Sequence, residues 1–523
     1  MNRLGSEIFR ADDRPLVMIA RNVSATYLAI IVDAVIGLLM LPFNVTHLGT
    51  AAYGLWVLTA SVTVHLSVLD LGYGGGVVKF IAHYRARRDR EALNEIASTL
   101  FFVWAALGCV AYAIAAFVAF HLESFFKISP EQAHLGQWVL LIVSVNVALN
   151  FPCSVFGGVV NGFQRQHING AVAIVSSVLV ALVNVIVLMA GWGLLSLVFV
   201  TTIVRVLTYV VYAANAYRTF PALHLSPALF RRSRLREITG FSFYSSVIDW
   251  SYKLNYQLDQ LVIGAVLGIA PVAVWAVAER ITGATQNLTN QLNALLFPVV
   301  VDSDASEQRE RLQQILLQGT RLSLATVLPV ATALIVLADP LIRAWVGTRK
   351  PELLASVPVL QILTVAVAVR VGTGTATTLL KGAGRHRLLA SVNLATGLTN
   401  LALSIALAHI WGLVGVAVGT LIPIAFSSLV ILYPAACRRV GLPVRVAMTR
   451  AVLPAVWPSV LVGAMLVFTR PMAPPGLAAV AVQGVLAGLL YFALFLFAIG
   501  SRERAVYAAN VQDLLSRRLV SVG

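Results

Sequence analysis

Charged residues are scarce in this sequence: Asp, Glu, Lys and Arg together make up 11% of its 523 residues, against 59% apolar ones. Soluble domains carry about 25% charged residues, so this chain cannot cover a hydrated surface and its main solvent is lipid. Cysteine is scarcer still. Cys109, Cys153 and Cys437 are the only three. Each falls in or beside an apolar stretch, which argues against a disulfide framework or a thiolate metal site and predicts small core residues. The sequence has no His-Glu-x-x-His, no Walker loop and no nucleophile elbow, so no catalytic residue, metal or cofactor is expected. Any pumping would then draw on an ion gradient, the membrane potential or the cargo's own gradient. The apolar stretches lack period-two alternation, which argues against a β-barrel.

What the chain has in abundance is long apolar runs. About 20 apolar residues cross the roughly 30 Å of bilayer hydrocarbon as a helix. Such runs lie near 17–41, 53–80, 97–121, 135–160, 168–190, 193–216, 240–266, 271–300, 314–338, 353–380, 388–409, 412–436, 451–469 and 476–499. They predict an all-α, polytopic membrane protein of about fourteen transmembrane helices. The first run is too long for a signal-peptide core and is followed by no cleavage-like site, which predicts a retained span. The formal charge is +16, but Lys and Arg stand in short clusters between the runs and build no continuous patch for nucleic acid. The clusters alternate. Arg85, Arg87 and Arg88, Arg231 to Arg236, Arg385 and Arg387, and Arg438 to Arg450 fall on one side; Lys127, Arg343, Arg349, Lys350 and Arg470 fall on the other. The positive-inside rule then places both termini in the cytoplasm, as for an inner-membrane protein.

Identities recur at a fixed offset of 219 residues. Leu48, Gly49, Ala51 and Trp56 return as Leu267, Gly268, Ala270 and Trp275, and Arg90, Glu91, Leu93 and Ile96 as Arg309, Glu310, Leu312 and Ile315. With one residue of slippage, Gly162 and Arg165 match Gly382 and Arg385. Six spans per unit make the repeat parallel, the plan of many two-lobed transporters. The expected layout is an N-lobe over 1–222, a C-lobe over 223–445, two extra helices over 446–500 and a cytoplasmic amphipathic tail over 501–523.

An ionisable side chain at bilayer depth costs at least a few kcal/mol and normally faces protein or a wet cavity. On the seventh span Ser245, Asp249, Tyr252, Tyr256 and Asp259 share one helical face, with Lys253 beside it. Asp249 and Lys253 are also spaced for an i,i+4 ion pair, and packing alone explains that pair equally well. The eighth span carries Glu279, Gly283, Gln286, Asn290 and Asn293, flanked by Arg280. The tenth presents Arg370, Thr373, Thr377 and Lys381, and the fourth Asn146, Asn150, Ser154, Gly157 and Asn161. Asn22, Thr26, Asp33 and Gly37 share a face of the first span, and His65 and Asp70 stand near the second. The expected substrate cavity is lined by Lys253, Arg280, Arg370, Tyr252, Tyr256, Gln286 and Asn290, whose cations suit an anionic cargo. Asp33, Asp70, Asp249, Asp259 and Glu279 are candidates for proton or sodium coupling.

The stretch Leu69-Asp70-Leu71-Gly72-Tyr73-Gly74-Gly75-Gly76, continuing through Lys79-Phe80-Ile81-Ala82, resembles a signature of bacterial polysaccharide-repeat flippases. These belong to the multidrug/oligosaccharidyl-lipid/polysaccharide exporter superfamily. Leu48-Gly49, Tyr53-Gly54-Leu55-Trp56 and Leu296-Phe297-Pro298 are similar to the same family, as is the six-plus-six plan with two added helices. The resemblance implies a non-enzymatic exporter that flips undecaprenyl-diphosphate-linked oligosaccharide units by alternating access within membrane lipid, with polysaccharide polymerase and glycosyltransferase machinery as partners. Its alternatives are an ion-coupled multidrug antiporter of the same fold and a peptidoglycan-precursor flippase. A membrane-embedded glycosyltransferase would need a long external loop, which the chain lacks.

Overall fold

The computed structural model describes residues 15–70, 73–239, 258–348, 350–472 and 474–498, and every regular element among them is helical. The first half holds α1 (Pro15–Leu48), α2 (Thr50–Leu66), α3 (Tyr73–Arg87), α4 (Arg90–Phe120), α5 (Pro130–Gly162), α6 (Gln166–Met189) and α7 (Leu194–Thr219). Then come α8 (Asp259–Val266), α9 (Ile269–Ala305), α10 (Arg309–Val336), α11 (Ser356–Gly372), α12 (Gly374–Gly382) and α13 (His386–Phe426). The series closes with α14 (Tyr433–Val440), α15 (Leu453–Thr469) and α16 (Leu477–Ala498). Ten helical segments among the described residues are long and apolar enough to cross a membrane, so the chain is a multi-pass membrane protein. Most of the expected seventh span and the whole tail from 501 lie outside the described residues.

The run expected as one span over 53–80 is two helices. A 3-10 turn at Ser67–Asp70 follows α2, and α3 begins in the glycine-rich stretch, where glycine holds a continuous helix weakly. Helix α13 is broken by Gly412, whose φ of 59° and ψ of −135° turn the chain back as a hairpin. In that hairpin a Cβ at Gly415 would lie 2.0 Å from the Leu407 carbonyl oxygen, so only glycine permits the approach. The cysteines depart from the expected core placement: Cys437 is buried, but Cys109 is exposed. In lipid an exposed thiol loses little, because it is a weak hydrogen-bonding group.

Backbone conformation repeats with the offset seen in the sequence. Gly49 and Gly268 have φ of 81° and 101°, and each precedes a helix, α2 and α9. Arg88 and Glu307, at φ of 57° and 54°, precede α4 and α10; Gln164 and Gly384, at 62° and 71°, precede α6 and α13. Helix packing repeats too. A Cβ at Gly162 would meet Ile81 at 2.5 Å, and one at Gly382 would meet Val300 at 2.5 Å, pairs that correspond under the offset of 219 with the same one-residue slippage at the glycines.

Contacts divide the chain into two units, Met1–Arg280 with Asn393–Gly419, and Ile281–Val392 with Thr420–Gly523. In the first unit Val77, Ile81, Leu93, Ile96, Trp104, Val155, Val159 and Phe220 form one core. The segment after α7 is laid over α4 by polar bonds: Asn94 binds both the Ala222 carbonyl (2.9 Å) and the His224 amide (3.0 Å). Glu95 accepts from Arg231 and Arg234 at 3.1 Å each. Arg234 also donates to the Tyr84 hydroxyl at 2.7 Å. Burial pushes the Tyr84 phenol above its ordinary range, so it stays protonated and donates onward to Glu237 at 3.2 Å. In the second unit α15 and α16 pack on α10 through Leu324, Leu337, Val462, Leu466, Tyr491 and Phe495, and Tyr491 donates to the Ala455 carbonyl at 2.9 Å. The outer faces stay apolar, with Phe117, Phe120, Ile186, Val210 and Leu489 all exposed, as lipid requires.

Proline and glycine shape the pair α4 and α5. Pro152 lies inside α5 and lacks the N–H that the Ala148 carbonyl would otherwise accept. Gly108 of α4 closes on that carbonyl: a Cβ there would lie 2.3 Å from the Ala148 oxygen. Gly108→Ala is expected to destabilise the protein by about 1–3 kcal/mol, the usual cost of overpacking, whereas Gly488→Ala, with nothing within 4 Å, leaves stability unchanged. Thermal unfolding of the purified protein in detergent measures both.

Candidate functional site

The face shared by Asp33 and Gly37 on α1 is a seat for Arg280. Arg280 Nη2 donates to the Asp33 backbone carbonyl at 2.9 Å and lies 3.7 Å from its carboxylate. The guanidinium rests where the Gly37 side chain would be, because a Cβ there would fall 1.3 Å from Nη2. The carboxylate is 67% exposed, so solvent screens the pair and its contribution to stability is small. Next to Arg280, Glu279 accepts a hydrogen bond from the Gln260 carboxamide. Asp259 is buried in the first turn of α8, where the helix dipole favours its charge.

The polar face of α5 divides into two parts. At its lower end Asn169 of α6 donates to the Gly157 carbonyl (3.0 Å) and to Asn161 Oδ1 (2.8 Å), so those residues bind helix to helix. At its upper end Asn146, Asn150 and Ser154 line a cavity of about 360 Å³. Thr63, Ser67 and Asp70 line it from α2 and the turn that follows, and Arg205 and Tyr209 from α7. Asn146 Nδ2 donates to Thr202 at 3.0 Å, and the Tyr209 hydroxyl donates to the Asn146 carbonyl at 3.1 Å. The second of these bonds is to the backbone carbonyl, so the side-chain amide is held by Thr202 alone. Asn146 Oδ1 is buried and has no hydrogen-bond partner among the described residues. The volume is in the range of small-ligand sites, and the lining offers amides, hydroxyls, a carboxylate, a guanidinium and the Phe151 ring.

Arg205 and Tyr209 were not among the residues expected from the sequence. Arg205 stands inside α7, a membrane-crossing helix, and makes no ion pair among the described residues. Thr201, Arg205, Thr208 and Tyr212 stand at helical spacing on α7, so the polar-face pattern and the rule that an arginine at membrane depth needs a reason both point to it. Arg321, buried inside α10, is likewise absent from the expected residues.

In the second unit Asn293 Oδ1 accepts from Thr375 at 3.1 Å and from Ser323 at 3.5 Å, a buried knot between three helices. Gln286 and Arg370 are half-buried, and Thr373 bonds back to the Val369 carbonyl at 3.0 Å. Lys381 lies 5.7 Å from the Phe297 ring centre. Of the other expected cavity residues, Tyr252, Lys253 and Tyr256 lie outside the described residues, as do Ser245, Asp249 and the Asn290 side chain. Arg280 belongs to the first unit and Arg370 to the second.

Residues 48–353 match the family described as "Polysaccharide biosynthesis protein". The chain belongs to that family. Among curated relatives, the chain is 24% identical over 333 residues to the "Uncharacterized membrane protein EpsK" of Bacillus subtilis, an alignment covering 62% of this chain and 65% of that one. It is 23% identical over 265 residues to the "Succinoglycan biosynthesis transport protein ExoT" of Rhizobium meliloti, covering 50% of each. The chain thus spans about half to two thirds of the length of these relatives. Its fold is similar to that of a solved lipid II flippase, MurJ in an inward closed conformation, with TM-score 0.68, 15% identity, and 91% of this chain and 98% of that one covered. An inward-facing multidrug resistance MATE family transporter gives TM-score 0.61 at 19% identity, covering 78% of this chain and 98% of that one.

Arg205 separates binding from stability, because it makes no ion pair among the described residues. Arg205→Leu is expected to leave thermal stability in detergent unchanged or raised, as removal of functional polar groups commonly does. Asn94→Ala, which strips two bonds from the strap after α7, lowers it by about 1–3 kcal/mol. The two melting curves, measured side by side, check this.

Proposed function

We propose that the chain flips undecaprenyl-diphosphate-linked oligosaccharide repeat units from the cytoplasmic to the periplasmic leaflet of a bacterial inner membrane by alternating access, for surface polysaccharide assembly. One observation carries this reading: a unit of a polysaccharide-biosynthesis family holds a cavity lined by amides, hydroxyls, Asp70 and Arg205, and that arginine makes no ion pair among the described residues. In this reading fourteen spans form two six-helix lobes, 1–222 and 223–445, with the added pair outside them and both termini cytoplasmic.

The physics of the cargo suits such a site. Sugars bring many hydroxyls, which amides and hydroxyls such as Asn146, Asn150, Ser154 and Tyr209 match in a wet cavity. A diphosphate brings negative charge, for which one arginine about 5 Å away contributes roughly 3 kcal/mol at an effective dielectric near 20. An inside-negative potential favours outward movement of that charge by about 2.3 kcal/mol per charge per 100 mV. Lys253, Arg280 and Arg370 are the further cations assigned to the cargo path. Asp33, Asp70, Asp249, Asp259 and Glu279 are the groups through which proton or sodium coupling would act. Glycosyltransferases would supply the cargo on one face and a polymerase would consume it on the other.

The fold likeness to a lipid II flippase favours a second reading, a peptidoglycan-precursor flippase. A deletion strain assayed for lipid-linked repeat units by leaflet separates the two. Units are expected to accumulate in the cytoplasmic leaflet and surface polysaccharide to fall, with peptidoglycan synthesis unaffected; Arg205→Glu and Arg370→Glu, both inserted normally in the membrane, reproduce the defect. Units that still reach the outer leaflet at the normal rate would end the proposal.

A further inference from the structure

A second cavity, of about 430 Å³, lies in the second unit where α15 and α16 are joined. Its polar wall is one carboxylate held between two guanidinium groups. Asp339 Oδ1 accepts from Arg343 Nη2 at 2.9 Å, and Oδ2 accepts from Arg470 Nη2 at 3.2 Å. Arg470 Nη1 also donates to the Val336 carbonyl at 3.4 Å. These bonds use a minority of the ten N–H donors that two arginines carry, and the site keeps a surplus of one positive charge. Arg343 opens a π-turn, Arg343–Gly347, a distortion of helix geometry frequent at functional sites.

The remaining wall is mostly apolar, formed by Pro340, Ala344, Pro474, Pro475, Ala479 and Val480, with Thr348 and Gln483 as its other polar side chains. It continues along α16 into Val482 and Leu486, which are 58% and 55% exposed. A cationic mouth at a helix end, leading onto an apolar strip, has the polarity profile of a lipid at its headgroup–acyl boundary. A free anion would have no use for the strip. The charge pattern makes the mouth more telling, because Arg343 and Arg470 are two of the few cations that the alternation of basic clusters leaves on the sparsely charged side. Cations are selected against there, yet these two converge on one carboxylate.

We infer that this cavity binds the phosphate of an anionic membrane lipid, Arg343 and Arg470 gripping the phosphodiester in place of part of their hold on Asp339, with an acyl chain along α16. The lipid would seat the added helix pair against α10. Membrane-embedded full-length protein in nanodiscs, labelled with photo-crosslinkable phosphatidylglycerol and mapped by peptide, tests the assignment. Crosslinks are expected on the peptide carrying Arg470 to Gln483. They should fall about fivefold in Arg343→Gln, as one cation near a lipid surface predicts, while crosslinks at the basic loops around Arg87 and Arg232 stay unchanged. Arg343 makes a single bond and is 59% exposed, so its substitution leaves the fold intact, and an unchanged melting temperature verifies that. Arg470→Gln is expected to have at least as large an effect. Equal labelling in Arg343→Gln, or equal labelling by photo-crosslinkable phosphatidylcholine, would overturn the inference. Loss of label on adding inorganic phosphate would reassign the cavity to a soluble anion and overturn it too.

Discussion

Hydrocarbon offers no hydrogen-bond partner, and a polar group carried into it must be met by the chain or by enclosed water. The consequences run through the whole molecule. Hydroxyls on the spans bond back to carbonyls of their own helix, as Ser144 does to Leu140 at 2.6 Å and Thr208 to Val204 at 2.8 Å. Amides bond across helices, as Asn169 does to Asn161. The carbonyl that Pro152 releases is closed over by a glycine rather than left to lipid. Against that background Asn146 Oδ1, buried and without a hydrogen-bond partner among the described residues, stands out, and it shares one cavity with Arg205.

The same constraint explains why the backbone repeats. A helical hairpin buried in lipid depends on close helix approach, and close approach depends on small residues at defined heights. Gly162 against Ile81 and Gly382 against Val300 are such heights. The turns that set them carry positive φ at matched places, even where the residue is not glycine: Arg88 and Glu307 both adopt it, though an arginine and a glutamate gain nothing from it individually. Shared geometry outlasts shared side chains.

Much of this was legible in the sequence. Apolar runs gave the helices, the offset of 219 anticipated the repeated turns, and the shared face of Asp33 and Gly37 anticipated a contact, although not that Arg280 fills it. The polar stripe on α5 pointed to a lined interior, of which only the upper part is one. Arg205 was legible too, because Thr201, Arg205, Thr208 and Tyr212 share one face of α7, although Val204, Val206 and Leu207 surround it with apolar side chains. The break after Leu66 was missed because Val68, Leu69 and Leu71 carry the apolar run through the turn, although Ser67, Asp70 and the glycines after them mark it. The cavity beside Asp339 was invisible because its two arginines are far apart in sequence and meet only through packing.

The account rests on the claim that this fold carries a charged, sugar-bearing lipid headgroup across the membrane. Purified protein reconstituted into sealed vesicles, with a polyprenyl-diphosphate-linked glycan and a leaflet-specific glycan probe outside, tests it most directly. The account predicts glycan exposure faster than in protein-free vesicles, accelerated by an inside-negative potential and lost in Arg205→Glu. Exposure at the protein-free rate, from protein that retains its native melting temperature, would contradict it.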